Sequence, residues 1–437
     1  MYGSRTREVL AALLAAIMLV LGLACGTEGD DGPNGDPEAD FLKSDKLRIT
    51  NPDVPQGELA ELVAGNSAFA FDLYQELRGE EGNLFYSPFS ISIALAMTFA
   101  GARTTTEQAM ADTMHFTLGQ DGVHPAFNLL DQELAGREEP ANEYADDGFK
   151  LRIANSIWGQ KGYPFVQLFL DTLAENYGAG LRLLDYGADP EACRLVINDW
   201  VEDKTEGKIE DLIPPGSITE LTRLVLTNAI YFKAAWNEPF KEENTAPGEF
   251  TRADGSTATV EMMNQEAGLF YAAGDGYEAV ELPYDGEQLS MVLVVPAAGE
   301  FDTFEAGLTA GRIDEILDAR EYKIVTLGLP KFEYDFSVKL KDALKNMGMA
   351  EAFTFSSDFT GMTAAAEKVR ISEVIHKAYV GVNEAGTEAA AATAVIMEGS
   401  GMPDHVTLTI DRPFLFLIRD VPTGTILFVG RVLDPTA

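Results

Sequence analysis

Cysteine is almost missing from this chain: Cys25 and Cys193 are the only two among 437 residues. A disulfide framework is therefore excluded, and stability has to come from packing. Basic side chains are scarce as well, with 32 Lys and Arg against 70 Asp and Glu and a formal net charge of −38. Such a surface repels nucleic acid, glycosaminoglycans and anionic membranes, so none of these is expected as a partner. Histidine is limited to His115, His124, His376 and His405, scattered with no HxxxH spacing and no cysteine alongside. Neither a metal site nor a cofactor is expected from them. A GxSxG nucleophile elbow is also missing.

Long apolar runs are lacking too. Arg5 and Arg7 precede one from Val9 to Ala24, which reads as a secretory signal over residues 1–24. It is about 16 residues long, and no later run reaches the roughly 18 to 20 that a membrane-spanning helix needs. Cys25 closes the stretch LGLAC, which resembles the lipobox of bacterial lipoproteins; membrane contact is expected only through a lipid on Cys25. Residues 25–54 are expected to be that cysteine and an acidic tether. Glu28, Asp30, Asp31, Asp36, Glu38 and Asp40 stand there among glycine and proline, without the spacing of a calcium loop. The protein is expected outside the cell or at its envelope.

From residue 55 to 437 the composition is even, without long linkers or repeats, which favours one domain. Leu59 to Leu77 has apolar residues at helical spacing, with Asn66 or Ser67 as a candidate cap for a second helix. Cys193 is placed on a helix face, as a buried or half-buried thiol. Leu289–Val295, Ile324–Leu329, Pro413–Ile418 and Thr425–Val429 are apolar stretches of strand length. Helices dominate the first half and strands the second, an α+β arrangement of a large sheet with helices packed on it.

Most informative is Val382 to Val395, VNEAGTEAAAATAV. In a strand, Thr387, Ala389, Ala391, Thr393 and Val395 would share one small, buriable face, and Glu388 would point the other way into water. No proline interrupts the stretch. The four alanines from Ala389 to Ala392 suit a helix equally well by propensity. The flanking residues settle the matter: ISEVIHKAYVGVNEAGTEAAAATA, from Ile371 to Ala394, resembles the hinge region of the serpins. NLFYSPFSI (83–91), ANSI (154–157), INDWVEDKTEGKIEDLI (197–213), LTNAIYFKAAWNEPF (226–240), LPKF (329–332), GMAEAF (348–353), DFTGM (358–362) and RPFL (412–415) resemble serpin signatures and stand in serpin order. The likeness runs from about Pro55 to Pro435.

The resemblance implies a serpin fold: a large central sheet of five strands, further sheets, eight or nine helices, and an exposed reactive-centre loop over about 384–405. It implies a protease inhibitor and not an enzyme. A target protease cuts the loop, is held as an acyl-enzyme, and is carried along as the loop inserts into the sheet as a new strand. The hinge residues would be Glu384, Gly386, Thr387, Glu388, Ala389 and Ala391; Ala385 and Gly381 depart from the family pattern without adding bulk. The sheet-opening region would comprise Ser87, Ser90, Asn228, Trp236 and His376. Counting seventeen places from Glu384 gives Ser400–Gly401 as the reactive bond, with Met397–Glu398 as the alternative. Residues 385 to 405 hold no Lys or Arg, so elastase-, subtilisin- or chymotrypsin-like proteases are expected as targets, not trypsin-like ones. Papain-like cysteine proteases are a cross-class alternative, and a non-inhibitory decoy or binding scaffold is the competing function. A monomer is expected.

Overall fold

Strand β5 (Leu224–Ala235) reads LVLTNAIYFKAA and is buried along nearly its whole length. Such a run fits a strand covered on both faces. It lies in a mixed sheet whose order is β1 (Asp40–Leu42), β4 (Leu181–Leu184), β3 (Lys150–Gln160), β5, β13 (Gly386–Thr387), β12 (Glu373–Val382) and β11 (Phe332–Lys339). A second sheet runs β14 (His405–Thr409), β10 (Glu321–Pro330), β7 (Thr257–Gly274), β8 (Tyr277–Pro283), β9 (Leu289–Pro296), β15 (Phe414–Asp420), β16 (Ile426–Val432) and β2 (Leu84–Tyr86), with β6 (Ala246–Thr251) on β7. This computed structural model describes residues 39–138, 150–364, 369–387 and 404–437.

Nine α-helices occur among the described residues: α1 (Glu58–Leu77), α2 (Pro88–Phe99), α3 (Thr104–Met114), α4 (Gly119–Ala135), α5 (Gln167–Tyr177), α6 (Pro190–Lys204), α7 (Phe301–Ala306), α8 (Ala310–Asp318) and α9 (Lys341–Leu344). Every residue of α2 is buried, because it is apolar all round and lies against β3, β5 and β16. Ser87 caps it by accepting from the Ser90 N–H at 3.1 Å, and Pro88 opens its first turn.

The expected strands appear as β9, β10, β15 and β16. Two expectations are corrected. Leu59–Leu77 forms one continuous helix and Asn66 caps nothing; its amide is buried in mid-helix without a hydrogen-bond partner among the described residues. Gly65 beside it leaves room for the His115 carbonyl, which a Cβ would meet at 2.6 Å. The tether also ends sooner than residue 54. Phe41, Leu42 and Ile49 return apolar side chains to the sequence, and β1 pairs antiparallel with β4. Beyond β1 the strap is tied down: Ser44 Oγ donates to Asp171 at 2.6 Å, Arg48 Nε donates to Asn128 at 2.8 Å, and the Ile49 N–H donates to the Glu175 carbonyl at 2.8 Å. Cys193 is buried in α6, as expected, and burial pushes its thiol up to about 11, away from reactivity.

Candidate functional site

The parallel pairing of β5 with β12 runs from Val225↔Glu373 to Tyr231↔Tyr379. Its middle register places Asn228 opposite His376, and the β3–β5 register places Asn155 opposite Asn228. Three polar side chains thus form a rung across three strands, beneath the N-terminus of α2. His376 Nε2 accepts from the Ser87 backbone N–H at 3.2 Å, so the proton sits on Nδ1, which donates to Asn228 Oδ1. The Asn228 amide donates to Ser90 Oγ at 2.6 Å and to Asn155 Oδ1, and the Asn155 amide donates to the Ser90 carbonyl at 3.0 Å. Burial pushes the His376 imidazole down to about 3, so it is neutral at physiological pH.

Ser87, Ser90, Asn228 and His376 therefore meet in one network. A Ser/His/Asn set could suggest a hydrolase, but the geometry is different. The Ser87 hydroxyl serves as a helix cap, His376 faces the Ser87 backbone N–H, and the ring is fully buried. No substrate carbonyl could reach such a serine.

At the upper end of β12 the chain reverses. Asn383 Oδ1 accepts from the N–H groups of Ala385 and Gly386 at 3.0 and 3.2 Å, an Asx-type turn that sends the chain back between β5 and β12. There β13 pairs antiparallel with both neighbours, through Gly386↔Ala235, Thr387↔Ala234 and Thr387↔Val382. Thr387 is fully buried, and its Oγ1 is 2.7 Å from Tyr284 Oη. Tyr284 stacks on Trp236 with ring centroids 4.7 Å apart. Trp236 in turn donates from Nε1 to the Asn383 carbonyl and from its backbone N–H to the Ala385 carbonyl, both at 3.0 Å. Glu384 accepts from Lys331 at 2.6 Å and from Thr245 at 2.7 Å. Burial pushes this carboxyl up, but those two donors outweigh it and hold it below its ordinary value.

The two seated residues head down the gap between β5 and β12. Continuing in that direction means parting a parallel ladder and replacing it with two antiparallel ones. Parallel pairing is the slightly weaker kind per residue, and each newly seated residue pairs on both sides. The upper site holds a short strand between β5 and β12, and lower down the rung of Asn155, Asn228 and His376 ties β3, β5 and β12 together.

Asn155, Lys331, Thr245, Asn383 and Tyr284 were not singled out by sequence reasoning. A polar residue at a strand position facing a helix terminus was the available signal for Asn155. Glu388, Ala389, Ala391, Met397, Glu398, Ser400, Gly401 and Cys25 lie outside the described residues.

The fold is thus a mixed sheet with a strand part-seated between two parallel neighbours, above a buried polar rung that bridges those same two strands. The family model described as Serpin (serine protease inhibitor) matches residues 64–435, and the chain belongs to the serpin family. It is 38% identical to an uncharacterized serpin-like protein of Thermococcus kodakarensis, over 97% of this chain and 98% of that one. It is 37% identical to antithrombin-III of Homo sapiens, over 91% of this chain and 87% of that one. Among solved structures, the thermophilic serpin tengpin in its native state is similar with a TM-score of 0.79 and 27% identity, over 91% of this chain and all of that one.

Proposed function

We propose that the protein inhibits serine proteases by covalent trapping. The carrying observation is the seat of Gly386 and Thr387 between β5 and β12. The protease serine attacks the carbonyl of Ser400, the Ser400–Gly401 bond breaks, and its electron pair leaves with the Gly401 nitrogen, which takes up a proton. The protease is then esterified to Ser400. The freed strand follows Thr387 into the slot, breaking the His376–Asn228 bond, before water can attack the ester. Ala389 and Ala391 occupy the buried face, and Glu388 keeps to solvent. Met397–Glu398 is the alternative bond. The small Ser400 side chain suits shallow primary pockets, elastase-like or subtilisin-like, and Met397 suits chymotrypsin-like ones. The leader and Cys25 support secretion with a lipid anchor, and the even composition supports a single folded domain.

The test is incubation of the purified protein with pancreatic elastase, subtilisin, chymotrypsin and papain, followed by denaturing gels and the mass of the released C-terminal peptide. A band at the summed mass that survives boiling supports trapping, and the peptide mass identifies the bond. Clean cleavage without that band, and without a gain in heat stability, overturns it in favour of a decoy or binding scaffold.

A further inference from the structure

Phe270 on β7 and Tyr322 on β10 are direct cross-strand partners, with ring centroids 6.0 Å apart, and they stand 50% and 55% exposed. Two large rings left open side by side form a contiguous apolar patch, the kind of exposure that marks an interaction site more than a lone surface residue does. The side chains that share its face, by strand alternation and register, are Ile324, Thr326 and Glu266, followed by His405 on β14. His405 Nε2 is 3.1 Å from Thr326 Oγ1 and 3.2 Å from Glu266 Oε2, so this end of the face is fixed. The aromatic end is fixed too: the Tyr322 ring lies across Gly268, where a Cβ would collide with it, and the Arg320 guanidinium sits 5.9 Å from the Phe270 ring centre.

This face begins where the reactive loop rejoins the fold. Asp404 is pinned there, its carbonyl accepting from the Ile324 N–H at 3.0 Å and its carboxylate taking Lys323 Nζ at 3.1 Å. Four residue steps lead from Ser400 to Asp404, a reach of at most about 14 Å even when fully extended. The thirteen residue steps from Thr387 to Ser400 allow about 45 Å on the other side. A protease seated on the bond is thus tethered closely to this face and loosely to the hinge. A contact of ordinary size covers about 800 Å² per partner, a patch roughly 30 Å across, so a protease docked at the bond is within reach of the aromatic pair.

We propose that Phe270 and Tyr322 form a second docking surface for the target protease, touching it on the leaving-group side of the scissile bond. The inference rests on the inhibitory reading above. Arg320 lies beside Phe270, and exposed Glu266 stands at the His405 end of the same face, so the complementary protease surface is an apolar spot. Rigid aromatic side chains suit this role because they add buried area at little cost in conformational entropy.

The test uses subtilisin and pancreatic elastase inactivated by replacing the catalytic serine with alanine, so that binding is read without cleavage. The full chain and its Phe270→Ala/Tyr322→Ala variant are compared by surface-bound kinetics, alongside Leu168→Ala, an exposed apolar position on α5. The double variant is expected to bind at least one of the two inert enzymes fivefold or more weakly, a loss that only a minority of interface residues produce. Leu168→Ala is expected to bind like the parent, and unfolding midpoints should confirm that all three chains are folded. Equal binding by parent and double variant to both enzymes, or no measurable binding by the parent, overturns the docking surface. The same series with active proteases keeps the two ideas apart. Boiling-resistant complexes with unchanged inert-enzyme affinity defeat this inference and leave inhibition standing. Lost affinity in the double variant without any such complex defeats inhibition and leaves the docking surface.

Discussion

Thr387 and Tyr284 stand 103 residues apart in sequence and share a buried hydrogen bond of 2.7 Å. Tyr284 directly follows β8, so the hydroxyl pair fastens the start of the loop to the second sheet while the backbone of Thr387 is held by the first. Replacing Tyr284 with Phe keeps the stack on Trp236 and leaves one buried hydroxyl without its partner, a loss of about 1 kcal/mol. The seated hinge should loosen, seen as faster protease nicking near residue 387 with little change in global unfolding.

Thr387→Arg places a charge where no solvent reaches. Burying it unpaired costs several kcal/mol, so the loop should still be cut but should not insert. The expected outcome is conversion from inhibitor to substrate: turnover by the protease, no covalent band, and no rise in the melting temperature after cleavage.

His376→Ala removes both ends of a bridge, leaving Asn228 Oδ1 and the Ser87 N–H unsatisfied. Each buried orphan costs about 1–3 kcal/mol. The native form should unfold at lower denaturant, and spontaneous loop insertion on mild heating should speed up. Native gels after timed incubation would show it.

Acid should weaken the native fold by a predictable route. Burial pushes His124 and His376 each down to about 3. The unfolded chain therefore takes up protons at these sites near the ordinary histidine value while the native form does not. Their contribution is intact above about pH 7 and is lost progressively as pH falls toward 3, by about 1.4 kcal/mol per pH unit for each histidine. Glu384, held below its ordinary value, gives the same sign at the acid end, because its interactions are lost only as pH falls through its folded pKa. Denaturant midpoints between pH 8 and pH 4 would test this, and His376→Gln should reduce the slope.

Removing the strap by starting the chain at residue 51 uncovers the edge of β4 and cuts the bonds of Ser44, Arg48 and Ile49. The shortened protein should melt several degrees lower and self-associate more, since an unpaired edge offers free N–H and C=O groups to other chains. Light scattering during a thermal ramp would report both.

The sheet strands were legible because their apolar runs are dense and β-branched, as in LSMVLVV of β9. The four residues of the central network were reached through the resemblance of their surroundings, not through any pattern in the residues themselves. Asn155, its fifth member, became visible only when register set it opposite Asn228. Lys331 and Thr245 meet Glu384 from separate elements, and no local spacing encodes that meeting. The strap was misjudged because acidic, glycine-rich composition up to residue 40 masked the return of Phe41, Leu42 and Ile49 just beyond it.

The hairpin that seats Gly386 and Thr387 also bears on time. A free strand joining a sheet must first find its place and fix several dihedrals before any bond rewards it, and that search sets a lag. Here the first two residues are already in register, so the remaining chain has no starting position to find. On the proposed mechanism the cut strand would advance one pair at a time from a fixed origin, and the acylated protease would face a clock that starts without delay.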